Sequence, residues 1–472
     1  MQNRTLIKDT LHLAPETEVT LAGFVATKRD HGKITFIDLR DRSGLIQCVG
    51  YKIMGEITTE SVIQVTGKIK SRQERNFNPD LLTGQIELDV QSYEILSAAS
   101  ELPLGLDSDG LEIDENARLK YRYLDLRRPR LNSNLKLRSD FVRALRTALY
   151  DQDFLEIETP ILSQATKEGA RDFLVPSRLQ PGEFYALPQS PQQYKQLLMT
   201  AGFERYFQIA RCFRDEDLRA DRLFELTQVD LEMSYVDEPS EVMNLVEDVV
   251  KQAVTQVGGR LKDQTFPVIT YADALQKYGA DRFDLRTEEE KTNGTLAFAW
   301  VVDFPFYKKV DKADAAEVID GKSGWTFTHN PFSKTQKEFE EDQLAGTNLE
   351  NIIAAQYDLV CNGYEVGGGS LRAHTPEMLK STFRNMGYSD EEIEANIGHI
   401  LRAFAVGTPP HGGIALGLDR FLMVLAGETS CKEVVAFPTS GSGKTAVMSA
   451  PCPASSAQLK ELSLEVVKKK TK

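Results

Sequence analysis

The sequence lacks any apolar run that approaches the length of a membrane-spanning helix. Its N-terminus also lacks the apolar core that a signal peptide needs. Five cysteines are scattered through 472 residues without a C-x-x-C pair, which argues against a structural zinc site and a disulfide framework. We therefore expect a cytoplasmic protein with reduced thiols and no membrane partner.

Positive charge is in deficit, because the formal net charge is −14. A chain of this charge is a poor candidate for coating nucleic acid nonspecifically. One stretch departs from the average: between Arg118 and Arg138, eight lysines and arginines face a single acid, Asp125. Two interpretations of this basic stretch are equally favoured. It either binds a polyanion or is a solvated linker with a chance excess of charge.

The length of the chain predicts two or three domains. Residues 1–98 read as short alternating strands separated by glycine-containing turns, which is typical of a five-stranded OB-fold β-barrel. Residues 99–131 are rich in Pro, Gly and Asp and are interpreted as a linker. In residues 132–472, helical and strand patterns alternate irregularly. We predict an α+β chain whose second domain has a large antiparallel sheet flanked by helices.

The stretch "RCFRDEDLRADRLFELTQVDLEMSY", residues 211–235, places opposed charges side by side and then becomes an alternating strand. Gln228, Asp230 and Glu232 share one face of that strand. A solvated edge strand is the ordinary explanation for such a pattern. The rest of the chain has to decide whether this polar face is solvated or functional.

Three further stretches combine glycines with charged side chains. Glu168 lies in "ATKEGARDF", Asp358 and Glu365 lie in "QYDLVCNGYEVGGGSLR", and Arg420 lies in "GIALGLDRFLMVL". Each stretch alone is more simply explained by structural ion pairs. Together, paired acids suit Mg²⁺ and arginine forks suit phosphate and carboxylate. The combination indicates a site for ATP and Mg²⁺ with room for an anionic substrate.

These residues also carry a resemblance to a known family. "FLEIETPIL", the 211–235 stretch and "GIALGLDRFLMVL" resemble motifs 1, 2 and 3 of the class II aminoacyl-tRNA synthetases. "LKYRYLDLRRP" and "YALPQSPQQYKQLLM" resemble segments of the bacterial-type aspartyl-tRNA synthetases. The resemblance covers nearly the whole chain. The insertion domain that bacterial relatives carry is missing near residues 286–297.

The resemblance implies an OB-fold anticodon-binding domain at 1–98, a hinge at 99–131 and a class II catalytic domain at 132–472. It implies a homodimer that activates L-aspartate with ATP and Mg²⁺ and transfers it to tRNA(Asp). An enzyme that also charges tRNA(Asn) stays open, as do an asparaginyl- or lysyl-tRNA synthetase and an inactive paralogue that binds RNA or nucleotide.

Site residues carry over by position. Arg214 and Arg420 are the implied catalytic cations, and Lys195 with Arg372 would hold the substrate β-carboxylate. Asp230 would receive the substrate ammonium. The implied aspartate site comprises Glu168, Gln192, Lys195, Arg214, Asp230, His329 and Arg372. The implied ATP site comprises Arg214, Asp215, Glu216, Leu223, Leu226, Glu365, Gly417, Leu418, Asp419 and Arg420. Asp358 and Glu365 would hold the metal, and Arg29, Phe36, Gln47 and Glu94 would contact the anticodon.

The chain departs from the family pattern at three positions. Leu226 replaces the phenylalanine that stacks on adenine, and Leu223 replaces a glutamine that contacts ATP. Asn330 replaces the second histidine of a His-His-Pro-Phe motif. Phe224 is close enough in sequence to compensate for the aromatic ring that is missing at Leu226. The changes bear on ATP affinity more than on the type of reaction.

Overall fold

A computed structural model describes residues 4–166, 168–311 and 322–467. The chain divides into two compact units, Met1–Gly105 and Leu106–Lys472. Within the described residues, no helix combines the length and the apolar character needed to cross a membrane.

The first unit is a closed five-stranded β-barrel, as predicted. The strands follow the order β1-β2-β3-β5-β4, and only the β3–β5 pair among them is parallel. Side chains alternate between the barrel core and the outer surface, so that Ile37 and Leu39 are fully buried while Phe36 is half-buried. The strands are β1 Glu18–Asp30, β2 Ile34–Asp41, β3 Gly44–Tyr51, β4 Val62–Ser71 and β5 Ile86–Ser97.

The second unit is built on an eight-stranded sheet of order β12-β14-β17-β18-β19-β10-β9-β6. Strands β14 to β9 in this order run antiparallel, and the strand at each edge is parallel to its neighbour. The strands are β6 Leu155–Glu156, β7 Leu174–Pro176, β8 Phe184–Ala186, β9 Arg205–Phe213, β10 Glu225–Ser234, β11 Arg260–Leu261, β12 Val268–Thr270, β13 Thr295–Leu296, β14 Phe298–Val302, β15 Tyr307–Lys309, β16 Trp325–Phe327, β17 Gln356–Cys361, β18 Tyr364–Leu371 and β19 His411–Gly417.

Helices flank this sheet, as the predicted α+β class requires. The described helices are α1 Glu115–Lys120, α2 Arg122–Asp125, α3 Pro129–Tyr150, α4 Gln192–Thr200, α5 Pro239–Gln256, α6 Tyr271–Tyr278, α7 Glu288–Thr292, α8 Glu340–Ala345, α9 Pro376–Asn385, α10 Asp390–Phe404, α11 Leu418–Leu425 and α12 Ser456–Glu461. Helix α3 buries Phe141, Leu145 and Leu149 at a spacing of four residues. The Phe141 ring packs at 4.8 Å from that of Phe421 on α11, which fixes α11 beside the sheet.

Three arginines of the basic stretch 118–138 are buried in ion pairs, so the interpretation as a solvated linker is wrong for them, whereas Lys120 and Lys136 are exposed. Binding of a polyanion by the stretch stays a prediction. The guanidinium groups of Arg118, Arg122 and Arg128 are buried and surround the carboxylate of Asp125 at 3.1, 2.8 and 2.8 Å. Arg118 also pairs with Glu433 at 2.6 Å. Burial lowers the pKa of Arg122, in spite of its acidic partners. The stretch is therefore an internal charge cluster that ties α1, α2 and the start of α3 to the segment after α11.

Replacement of Asp125 by Asn should strongly destabilise the second unit. Removing one partner from a buried ion pair costs about 3–5 kcal/mol, because the remaining charges stay buried without compensation. The matched control is Asp140→Asn, which removes an exposed pair with Arg143 and should cost less than about 0.5 kcal/mol. The measurement is the denaturant midpoint followed by circular dichroism. Equal midpoints for the two variants would contradict the role given to Asp125.

Candidate active site

A cavity of about 290 Å³ opens over the middle of the eight-stranded sheet. Its lining comes from β10, β18 and β19, from the start of α11 and α4, and from the loop that contains Glu168. The structure brings 14 of the 17 predicted catalytic-domain residues to this cavity. They are Glu168, Gln192, Lys195, Arg214, Glu216, Leu223, Leu226, Asp230, His329, Glu365, Arg372, Gly417, Asp419 and Arg420.

Strand β10 supplies the polar floor of the cavity. It lies between β9 and β19, so the solvated edge strand is excluded. Val229 and Leu231 point into the hydrophobic core, whereas Gln228 and Asp230 line the cavity on the opposite face. The polar face of the 211–235 stretch is therefore buried against the cavity and not in the hydrophobic core.

Four buried charges meet at this floor. The Lys195 ammonium lies 2.8 Å from Asp230 and 3.1 Å from Glu232. The Arg372 guanidinium binds Glu232 through Nε at 2.9 Å and Nη2 at 3.2 Å. Two cations and two anions leave the cluster formally neutral. Glu232 is the bridging member, and the sequence analysis missed its role although it follows Gln228 and Asp230 on the same face.

The cluster keeps unused hydrogen-bond donors. A lysine ammonium has three N–H donors, and Lys195 uses two of them on Asp230 and Glu232. Arg372 has five donors and uses four, since Nη1 also binds Ser370 and Nη2 also binds the Gly413 carbonyl. Among the described residues, one donor on each cation is left without a partner. Both cations line the cavity, so an anion there has two charged donors available.

Glycine is required at position 413 to make room for the bridging carboxylate. A Cβ on Gly413 would lie 2.2 Å from Glu232 Oε2 and 2.1 Å from the Leu231 carbonyl oxygen. Both distances are shorter than real Cβ contacts. The side chain of Glu232 therefore depends on the glycine of the neighbouring strand for its position.

The two acids of the floor have opposite pKa shifts. Burial opposes ionisation of Glu232, but Arg372 and Lys195 outweigh burial and lower its pKa. Burial raises the pKa of Asp230, and Lys195 offsets only part of that effect. Asp230 Oδ2 is buried without a hydrogen-bond partner among the described residues. An unpartnered buried acceptor of this kind costs free energy unless a ligand donates to it.

Arg214 differs from the other cations of the cavity, because no described residue forms an ion pair with it. Among the described side chains, no carboxylate lies within ion-pair distance of its guanidinium, and its hydrogen bond goes from Nε to the Gln189 carbonyl at 3.3 Å. Arg420, by contrast, donates to the Glu365 carbonyl at 2.7 Å and lies 3.3 Å from Asp221. Arg214 is thus left with most of its donors available to an anionic ligand.

Two acids converge at the rim formed by β17 and β18. An ideal Cβ on Gly368 would lie 3.1 Å from Asp358 Oδ1 and 3.4 Å from Glu365 Oε1, so both carboxylates reach the same small volume. Burial, and after it the neighbouring Glu365, raise the pKa of Asp358 well above its usual range. Such a pair is stabilised by a cation. The described residues contain no group of three or more His, Cys, Asp or Glu side chains placed to hold a metal.

Other polar groups of the site are held by direct contacts. Ser190 donates to Glu168 Oε2 at 2.5 Å, while burial raises the pKa of Glu168. His329 packs edge-on against Phe304 and its Nδ1 lies 3.7 Å from Asp358. Burial lowers the pKa of His329, which favours the neutral ring.

Three predicted residues do not line the cavity. Asp358 is buried and is not part of the lining, and Leu418 belongs to the hydrophobic core. Asp215 lies 3.5 Å from Arg171 in a partly exposed pair. Phe224 does not line the cavity either, because its ring packs at 5.6 Å against that of Phe173. Leu226 does line the cavity. Neither Phe224 nor Phe173 supplies the aromatic ring that the family places at position 226 to stack on adenine.

Asp419 lines the cavity but its two carboxylate oxygens already have partners. Arg138 on α3 donates to Oδ1 at 2.6 Å, and the Thr227 backbone N–H donates to Oδ2 at 2.8 Å. Asp419 therefore connects α3, β10 and α11 next to the cavity. The sequence analysis assigned it to the ATP site and did not predict these contacts.

In the barrel unit, three of the four predicted anticodon residues lie together. Arg29 pairs with Phe36 in the β1–β2 register, and its guanidinium lies 3.3 Å from Gln47 Oε1. The Phe36 ring is half-buried and meets His31 edge-on at 5.7 Å. Glu94 lies exposed on β5 opposite Gln64, and no contact joins it to the other three among the described residues.

Comparisons with known proteins agree with this arrangement. The family described as tRNA synthetases class II (D, K and N) matches residues 114–441, and the OB-fold nucleic acid binding domain matches residues 19–96. Solved structures with a similar fold include an aspartyl tRNA synthetase from Entamoeba histolytica (TM-score 0.71, 21% identity, 92% of this chain and 91% of that chain covered). Another is an asparaginyl-tRNA synthetase from Pyrococcus horikoshii (TM-score 0.70, 23% identity, 90% and 95% covered).

Relatives with higher sequence identity carry the name aspartate–tRNA(Asp/Asn) ligase. Those from Phenylobacterium zucineum and Syntrophomonas wolfei are each 38% identical, with 95% and 96% of this chain and 96% and 97% of the relative covered. The first alignment runs over 581 positions against the 472 residues of this chain, which agrees with the predicted loss of an insertion domain. The chain therefore belongs to the aspartate–tRNA(Asp/Asn) ligase family of class II tRNA synthetases.

Proposed function

We propose that this chain activates L-aspartate with ATP and transfers the aspartyl group to tRNA(Asp). The observation that carries the proposal is the neutral four-charge floor, in which Lys195 and Arg372 each keep one donor for a further anion. A β-carboxylate fits two charged donors. The amide of asparagine carries no charge for them, and the ammonium of lysine would be repelled. The floor thus favours an aspartyl over an asparaginyl or lysyl enzyme.

The α-ammonium of the substrate is assigned to Asp230. Its Oδ2 is a buried acceptor without a hydrogen-bond partner among the described residues, and a substrate ammonium would supply a donor to it. Glu168, Gln192 and His329 complete the aspartate site from the other walls of the cavity. Binding of substrate and stabilisation of the floor are therefore coupled, because each satisfies the other's polar groups.

ATP would lie along the side of the cavity lined by Arg214, Glu216, Leu223, Leu226, Glu365 and Arg420. Class II synthetases use ATP, and the unpaired guanidinium of Arg214 is suited to the α-phosphate and the substrate carboxylate together. Leu226 offers adenine an aliphatic contact in place of an aromatic stack. Asp358 and Glu365 fit Mg²⁺, since their carboxylates converge on one small volume, and burial together with Glu365 raises the pKa of Asp358. When bound, the ion would neutralise charge on the ATP phosphates.

The reaction needs no protein nucleophile. An oxygen of the aspartate α-carboxylate attacks the α-phosphorus, the bond to the bridging oxygen breaks, and pyrophosphate leaves. A terminal ribose hydroxyl of the tRNA then attacks the aspartyl carbonyl carbon, and AMP leaves. The chain contributes position and positive charge, chiefly from Arg214 and Arg420, which bring two anions together.

A pyrophosphate-exchange assay separates the aspartyl enzyme from an asparaginyl or lysyl enzyme and from an inactive paralogue. ATP–pyrophosphate exchange that depends on L-aspartate, and not on asparagine or lysine, supports the proposal; no exchange with any amino acid supports an inactive paralogue. The unpaired Arg214 and the spare donors of the floor favour activity, since a binding protein has no need of them. Charging assays with tRNA(Asp) and tRNA(Asn) then decide whether both are substrates, as the names of the relatives indicate for those proteins.

Lys195→Met should abolish most aspartate activation while leaving ATP affinity and tRNA binding near normal. Loss of one charged hydrogen bond in a buried site should cost about 2–4 kcal/mol, or roughly 30- to 1,000-fold in kcat/KM for aspartate. Arg372→Lys tests the second cation in the same assay, and Arg143→Met, at an exposed surface pair, is the control. Unchanged kcat and KM for aspartate in Lys195→Met would exclude the β-carboxylate assignment.

The protein should be a homodimer through the segment 154–162. Leu155, Ile161 and Leu162 are 52, 46 and 52% exposed, although the segment is apolar, and such a surface indicates an interface. Sedimentation equilibrium at micromolar concentration should give about 106 kDa, twice the 52.9 kDa of one chain. Leu162→Asp should shift the mass towards the monomer, whereas Leu344→Asp, which changes an exposed leucine on α8, should not. A wild-type monomer would refute the interface.

Phe36 should stack on an unpaired anticodon base. Phe36→Ala should weaken tRNA binding by about 1–3 kcal/mol, the usual contribution of one base–aromatic stack, and should leave aspartate-dependent pyrophosphate exchange unchanged. Ile34→Ala is the matched control, because Ile34 shares the outer face of β2 two residues away. Filter binding gives the affinity and exchange gives the activity. Equal losses of exchange and tRNA binding would make Phe36 a structural residue.

A further inference from the structure

A chain of three hydrogen bonds runs from the cavity wall into the interior of the second unit. Gln192, on the first turn of α4, lines the cavity and donates from Nε2 to Gln196 Oε1 at 3.1 Å. Gln196 Nε2 lies 3.1 Å from His411 Nε2, and His411 Nδ1 lies 2.8 Å from the Pro409 carbonyl. Gln196 and His411 are both almost fully buried, so solvent cannot substitute for either partner.

The direction of this chain is fixed at its inner end. A carbonyl oxygen only accepts, so His411 Nδ1 must carry a proton and donate it to Pro409. In the neutral ring, Nε2 is then an acceptor. Burial lowers the pKa of His411 to about 4, with Glu232 opposing and Arg372 and His374 supporting the shift, so the ring is neutral at pH 7. Gln196 must therefore turn its NH₂ group towards His411.

The orientation passes from Gln196 to Gln192. Because Gln196 Nε2 donates to His411, its Oε1 faces α4 one turn back and accepts from Gln192 Nε2. Gln192 Oε1 is then the atom left over, and it has no hydrogen-bond partner among the described residues. Gln192 Oε1 is also not fully buried, because the fully buried side-chain atoms without a partner do not include it. The cavity side of Gln192 thus presents an acceptor.

We propose that His411 and Gln196 are positioning residues, which orient the Gln192 amide so that its oxygen is available to the ammonium group of the amino-acid substrate. The inference rests on the proposed function. A reversed Gln192 amide would turn N–H groups towards the ammonium and repel it. His411 does not line the cavity, and it acts on the orientation of Gln192 through two hydrogen bonds, one to Gln196 and one from Gln192 to Gln196.

A double-mutant cycle tests this relay, with Gln192→Ala, His411→Phe and the double variant assayed by aspartate-dependent pyrophosphate exchange. If His411 acts through Gln192, His411→Phe alone should lower kcat/KM for aspartate at least tenfold, mainly through KM. The same change should have less than a twofold effect in the Gln192→Ala background. The KM for ATP should stay within twofold in all three variants. Phe404→Leu, which alters packing on the His411 ring at 6.2 Å without touching its hydrogen bonds, is the matched control.

If His411→Phe does not fold, Gln196→Leu replaces it in the double-mutant cycle. This variant removes both hydrogen bonds of the Gln196 amide and should show the same non-additivity with Gln192→Ala. Additive losses in either cycle, or a parallel rise in the KM values for aspartate and ATP, would overturn the relay and make His411 an ordinary core residue. Absence of aspartate-dependent exchange in the wild-type protein would instead overturn the proposed function itself. The two failures are therefore distinguishable.

Discussion

The packing of the second unit depends on the mutual neutralisation of four buried charged side chains. Glu232 is completely buried, and a lone carboxylate there would be too costly to keep ionised. Arg372 and Lys195 lower its pKa, and Asp230 balances the second cation. These four side chains come from β10, from α4 and from the end of β18, so the electrostatic requirement fixes three elements relative to one another. Within the described part of the chain, one donor on each cation and one acceptor on Asp230 keep no partner in this cluster.

Much of the fold could be predicted because it follows from local pattern. Alternation in residues 1–98 gave the barrel, and the spacing of Phe141, Leu145 and Leu149 gave the long helix that packs on the sheet. Both signals depend only on which face of an element is apolar. The resemblance in three motifs located most of the cavity lining. It did so by position alone, without indicating which side chains would already have partners.

What could not be predicted are the contacts between distant residues. Glu232 and Arg372 are 140 positions apart, and their pairing exists only once β10 and β18 flank β19. The basic stretch 118–138 shows the same difficulty from the other side. The sequence of a run of arginines is the same whether the side chains face phosphate, solvent or buried acids. In this chain, Asp125 and Glu433 form buried ion pairs with arginines of the run. Sequence gives the charge of a side chain, but its environment depends on which carboxylate the fold brings near.

The separation of the charged floor from the barrel has a consequence for specificity. In the proposed function, aspartate contacts donors and acceptors of the second unit, whereas the half-buried Phe36 and the neighbouring Arg29 and Gln47 lie in the first. On these proposed assignments, a change in the barrel surface alters tRNA recognition without altering which amino acid is activated. The neutral cluster tolerates few substitutions, because each member pairs with at least one other and a side chain at position 413 would collide with the carboxylate of Glu232. The proposal therefore assigns amino-acid choice to buried electrostatics of the second unit and tRNA choice to residues on the barrel surface.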